Sequence, residues 1–219
     1  AVLVALLLMR FPKMDAAGRG TLFSDIRRGL SYISRERLLA DLLINYGSLM
    51  FFAAAYTVLL ALVGVAVLGT TPEQLGVLYT AIGIGTIVGS LGVASLGNFA
   101  YKGRLLTVTS LLMSLSVILF SQLHFYAVSF ALLIIVAASQ SIASALSITL
   151  LQLNAPRHLI GLVMSINTLI VLGIRPLGAF PFGALADFIG VSGALAVGAV
   201  LSAAISVVLF ATNSRLRNA

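Results

Sequence analysis

Cysteine and tryptophan are absent from this 219-residue sequence, and acidic residues number only six. Without cysteine there is no disulfide framework, no thiolate nucleophile and no cysteine metal cluster. Its two histidines, His124 and His158, stand far apart near the ends of apolar segments. Intramembrane hydrolysis or group transfer needs clustered His, Asp, Glu or Cys, or an activated Ser, and no such cluster occurs. No enzyme activity and no cofactor or metal is therefore expected. Charged residues of both signs make up 9% of the chain, against about 25% in an ordinary soluble domain.

What is abundant is apolar: 60% of the residues, with a mean hydropathy of +1.14 spread along the whole length. A soluble fold of this size could not hide that much apolar surface, so the solvent of this chain is largely lipid. The net charge of +7 does not indicate nucleic acid. Its basic residues sit in short gaps between apolar runs, not on a face beside polar or aromatic contacts.

Six apolar segments, at 42–68, 75–97, 105–123, 126–153, 159–186 and 193–212, are each long enough to cross a hydrocarbon core of about 30 Å. The fold class expected is an all-α polytopic transmembrane helical bundle of six complete spans within 41–212, with a tail at 213–219. Ahead of it, 10–40 is the longest polar stretch. Within it Leu22, Ile26, Leu30 and Ile33 recur at helical spacing, with Thr21 or Ser24 as a cap. Basic residues fall mostly outside that stripe, as in an amphipathic helix lying on an anionic leaflet; a solvated linker helix fits the pattern equally. The opening run AVLVALLLM lacks the basic start of a signal peptide. It reads as the end of a truncated span, which makes the chain a fragment.

Lys and Arg concentrate on the cytoplasmic side of membrane proteins. One set of alternate gaps holds twelve of the thirteen basic residues and the other set none. The basic loop, the 98–104 and 154–158 turns and the C-terminus are thus predicted cytoplasmic, in a multi-pass protein of the bacterial inner membrane. The thirteenth, Arg175, lies inside the fifth span in GIRPLG. A guanidinium there costs roughly 2.5–3.5 kcal/mol on insertion scales, so such residues face a wet cavity or a partner. Pro176 removes a helical hydrogen bond and frees a carbonyl one turn earlier.

Gln140, Ser144 and Ser147 share one face of the fourth span, and Thr168 and Arg175 one face of the fifth. Asn45, Tyr46 and Tyr56 in the first span and Asn167 in the fifth are further polar positions, suited to interhelical hydrogen bonds. The candidate cavity-lining set is Arg175, Thr168, Asn167, Gln140, Ser144, Tyr56 and Asn45. Ala81, Gly85 and Gly89 repeat every four residues, widened by Gly83 and Gly92, and Ala179 and Gly183 have the same spacing. Such strips let helices approach closely. Pro176, Gly178 and Gly183 join the first strip as candidate packing and gating positions.

Four strings carry a resemblance: LFSDIRRGLSYISRERLLADLLI (22–44), LGVLYTAIGIGTIVGSLG (75–92), LLQLNAPRHLIGLVMSI (150–166) and GIRPLGAFPFGALADFIG (173–190). With a basic loop followed by six spans, they resemble the second half of a twelve-span major facilitator superfamily transporter. The branch most similar is that of the enterobactin exporter and transmembrane secretion effectors. The resemblance implies that 1–9 ends span six, that 10–40 is the interdomain loop, and that two six-helix bundles rock about a central site. Two departures stand out. The branch's Arg-Gly-Arg turn reads Ile160-Gly161-Leu162 here, and the cytoplasmic signature survives only as Gly97, Lys102, Gly103 and Arg104, without its acid. Gly183-Ala184-Leu185-Ala186-Asp187 has the signature's start, on the predicted outer side.

The function expected is that of a secondary-active exporter of small molecules, of drug or siderophore type. Its partners would be the lipid bilayer, the missing N-terminal six-helix half, a small-molecule substrate and a proton or other ion. A non-transporting permease subunit is the alternative.

Overall fold

The computed structural model describes residues 31–53, 56–97, 101–123, 125–157 and 159–213. The segment 1–9, most of the 10–40 loop with all of its amphipathic stripe except Ile33, both histidines and the tail from 214 lie outside the described residues. Among the described residues the fold is all-α. Helix α1 (Arg37–Ser48) runs into a π-helical turn (Leu49–Ala53), and α2 (Tyr56–Ala66) follows. Next come α3 (Pro72–Leu96), α4 (Lys102–Gln122) and α5 (Tyr126–Asn154). Helix α6 (Ile160–Leu169) leads through a second π-helical turn (Ile170–Ile174) into α7 (Arg175–Thr212).

Local chemistry sets several of these boundaries. The Thr71 hydroxyl accepts the Gln74 backbone N–H while the Gln74 side chain accepts the Thr71 N–H, and Pro72 occupies the first turn. A reciprocal cap of this kind satisfies two orphan donors, and proline's fixed φ suits a helix start. Each π-helical turn follows a backbone N–H shared between two carbonyls: Leu49 N–H with Asn45 and Tyr46, Ile170 N–H with Asn167 and Ile166. Such single π turns insert a residue and re-aim the side chains beyond them.

The long helix α7 departs from expectation. A loop was expected over 187–193, yet helix persists on both sides of a single non-helical residue, Gly190, at φ 78 and ψ 159. That conformation is essentially open to glycine alone. The helix doubles back there. A Cβ added at Gly198 would lie 2.9 Å from the Phe182 ring, and these two residues are equidistant in sequence from Gly190. Asn213, at the far end of α7, bonds through its side-chain amide to Asp41 near the start of α1. One glycine thus replaces the expected loop, because a residue without Cβ can reverse the chain in one step.

Five helical stretches among the described residues are long and apolar enough to cross a membrane, the last being Phe180–Thr212, which contains the Gly190 turn. Ile160–Ile174 is a shorter apolar helix. Helix α5 is the hub: α3 and α4 pack along it and α1 crosses it, while α4 also packs on α7. The buried core is built from Leu42, Tyr56, Leu60, Met113, Phe120 and Leu133. The outer surface carries exposed Ile87, Leu91, Leu172, Phe180 and Phe188, as expected of a bundle solvated by lipid.

Candidate functional site

Between α1, α2, α3, α5 and the second π turn lies a cavity of about 570 Å³, within the size range of small-molecule sites. Its polar lining comes from Tyr46, Thr57, Thr86, Gln140, Ser141 and Ser144, and its apolar lining includes Met50, Ile82 and Val171. Three of these polar groups come from the fourth apolar segment, where Gln140, Ser141 and Ser144 lie within one helical turn of each other. The opposing helices supply partners. Tyr46 Oη and Ser144 Oγ are 2.8 Å apart, and Tyr56 Oη donates to Gln140 Oε1 at 3.0 Å. Tyr56 is fully buried, so this bond holds the amide in one orientation at the wall. At the rim Ser90 and Ser141 share a hydrogen bond of 2.9 Å, and the exposed Thr86 returns its hydroxyl to Ile82.

The wall between α3 and α5 depends on glycine. A Cβ at Gly85 would collide with the Ile134 carbonyl, and one at Gly89 with the Ala138 carbonyl. Ala81, Gly85 and Gly89 are buried along this seam. Gly83, on the opposite face of α3, and Gly92, on the seam's face but nearly one turn beyond Gly89, have nothing within 4 Å of an added Cβ. A second close approach joins α7 to the first π turn, where a Cβ at Gly178 would meet the Phe51 carbonyl. Phe51, Phe52 and Phe182 cluster beside it in edge-on contacts at 4.9–6.1 Å between ring centres.

A family model described as transmembrane secretion effector matches residues 1–219. The chain belongs to this family. It is a polytopic membrane protein of major facilitator type, in a class devoted to transport and efflux and not to enzymatic catalysis. No curated protein matches it.

The remaining residues singled out in the sequence take varied positions in the bundle. Asn45 is buried away from the cavity, accepting from Ser206 Oγ at 2.7 Å and reaching Ser110 Oγ at 3.5 Å. It ties α1 to α7 and, through the longer contact, to α4. Asn167 is buried with its Oδ1 unpartnered, and so is the Ser147 hydroxyl. Thr168 is exposed and bonds back to Met164 at 2.9 Å. Gly183 has no neighbour within 4 Å of an added Cβ. Arg175 and Pro176 open α7 directly after the second π turn. Their side chains, like that of Ala179, lie outside the described residues.

Sequence reasoning missed Thr57, Thr86 and Ser141 as lining residues, because a lone Ser or Thr in an apolar helix carries little signal when its hydroxyl can bond its own backbone. It also missed a second cavity, of about 590 Å³, between α1, the α6 end with its π turn, and α7. That groove is almost wholly apolar, lined by Leu43, Ile44, Phe51, Phe52, Ile170 and Ile205 among others.

Proposed function

We propose that this chain is the second six-helix bundle of a secondary-active exporter of small molecules, of drug or siderophore type, and that the cavity around Gln140 is its share of the substrate site. The observation that carries this reading is a cluster of six hydroxyl and amide side chains lining one cavity in an otherwise lipid-solvated molecule. Single hydroxyl or amide groups in a membrane serve as interhelical ties, whereas several converging on one cavity supply the few polar groups that orient a ligand. The seam of Gly85 and Gly89 gives α3 and α5 a smooth contact on which small shifts are possible.

Membership of an efflux family supports export, and the reversal at Gly190 supports six crossings, with 160–189 and 191–212 as an adjacent pair. The exposed Thr86 and Ser90 at the rim support a second bundle facing α3 and α5. Positive charge at the start of α1, the start of α4 and after α5 supports a cytoplasmic location for that end. In this reading the two bundles alternate access to the site, driven by an ion gradient. The coupling carboxylate belongs to the partner bundle, and Arg175 attracts an anionic group of the substrate or that carboxylate.

Export by cells making the full-length protein tests the proposal. Gln140→Ala is expected to cut export of a transported dye or siderophore about tenfold at unchanged protein level, since it removes the amide that Tyr56 orients. Unchanged export by Gln140→Ala would move the site elsewhere. Unchanged export by both Arg175→Ala and Arg175→Lys would remove the role given to that residue.

A further inference from the structure

The apolar groove calls for an occupant of a different kind from the polar cavity. It is lined by Ile33, Ala40, Ile44, Phe52, Ile170 and Ile205, among others, with no charged side chain among its described lining residues. It opens at the surface of the bundle, where Ile44 is half exposed. From Ala40 to Phe52 the chain advances twelve residues, roughly 18 Å at 1.5 Å per residue. That is slightly more than one leaflet of a hydrocarbon core about 30 Å thick. Narrow Gly47 deepens the middle of the groove, with the Ile170 side chain 3.6 Å from where its Cβ would be.

Among the described side chains, charge beside the groove lies at one end; that of Arg175, next to the lining residue Ile174, is not among them. Arg37 shares the α1 stripe of Ala40, Ile44 and Gly47, at spacings of three, seven and ten residues, and it is exposed. Arg35, next to the lining residues Ile33 and Ser34, is exposed as well. Of the nearby acids, Glu36 is half-buried and Asp41 is buried against Asn213. An apolar slot one leaflet deep, with two exposed arginines within a few residues of its lining at one end, matches an acyl chain below an anionic headgroup. We propose that this groove holds one acyl chain of an anionic phospholipid, whose phosphate is bound by Arg35 and Arg37.

The absence of tryptophan makes the proposal directly measurable. Ile44→Trp places a single indole in the groove, and Leu115→Trp places one on an exposed position of α4, away from the basic start of that helix, as a reference. The full chain carrying either substitution is reconstituted in phosphatidylcholine vesicles, and quenching is read with chain-brominated phosphatidylglycerol or chain-brominated phosphatidylcholine. The expected result is stronger quenching by the anionic lipid at Ile44→Trp and none of that preference at Leu115→Trp. At about 1 kcal/mol for each basic residue near the surface, adding Arg35→Gln and Arg37→Gln should weaken the preference about 30-fold. Equal quenching by both lipids at Ile44→Trp, or a preference that survives loss of both arginines, overturns the proposal. So does an indole at that position that no brominated lipid reaches, the outcome expected if residues 21–30 or a second bundle cover the groove. Far-ultraviolet circular dichroism of each variant checks that the bundle is folded, so that lost preference is not lost structure.

Discussion

Two cavities of nearly equal size flank α1, and they differ in almost everything else. The one toward α3 and α5 holds about 570 Å³ and is lined by Tyr46, Thr57, Thr86, Gln140, Ser141 and Ser144. The one toward α6 and α7 holds about 590 Å³ and is lined mainly by isoleucine and phenylalanine. Volume therefore does not separate a substrate site from a lipid slot. In water, an apolar pocket with a few polar groups is the default ligand site. In a bilayer the lipid competes for every apolar surface, so hydrogen-bonding groups become the distinguishing feature.

The two regions are also walled differently, which sets the size of the effects expected on breaking each one. The polar cavity rests on a backbone-to-backbone seam. Gly85→Val is expected to cost about 3 kcal/mol through overpacking against the Ile134 carbonyl, seen as a large fall in melting temperature in detergent together with loss of export. Gly83→Val, two residues away in open space, should stay within about 0.5 kcal/mol of the parent. If the two valines behave alike, the seam does not hold the cavity's wall.

The groove depends instead on the turn that brings α7 back past the first π turn. Gly190→Ala should cost about 2 kcal/mol, because its φ of 78 and ψ of 159 are strained for any residue with a Cβ. Thermal unfolding reads the cost, and a variant as stable as the parent would contradict a reversal made by that residue. Weaker still is Tyr56→Phe. Removing its hydroxyl leaves Gln140 Oε1 without that donor at the edge of the polar cavity, at a cost of about 1 kcal/mol, with a fall in export larger than the fall in stability. The smallest stability effect is expected from Thr86→Val, within about 0.5 kcal/mol. It should nevertheless reduce export several-fold, while Ile205→Leu in the groove leaves export unchanged. Equal export defects from these last two substitutions would erase the functional contrast between the cavities.

Parts of this arrangement are legible in the sequence. The four-residue spacing of Ala81, Gly85 and Gly89 and the common face of Gln140 and Ser144 are properties of a single helix. Periodicity alone displays them. Other features are not local. Tyr46 meets Ser144 and Tyr56 meets Gln140 across 98 and 84 residues of sequence, and no spacing rule connects such pairs. Asn45 and Gln140 look alike as polar residues within apolar runs, yet one is a buried tie to α4 and α7 and the other lines a cavity. Which role each plays depends on how its helix is rotated against its neighbours. The turn at Gly190 was hidden for a related reason: seven residues that read as a loop could also be two helix ends meeting at one glycine.

By itself the sequence determined the solvent of this protein, the lengths of its apolar runs, the grouping of its positive charge and the helical faces on which small and polar residues fall. These follow from composition and from the 3.6-residue period, which need no knowledge of neighbours. Only the tertiary structure decided which polar residues converge, where a Cβ has no room, where the chain reverses in one residue, and that two pockets of similar volume differ in chemistry. Those depend on close packing between segments distant in the chain, and packing is set by the shapes of both surfaces at once.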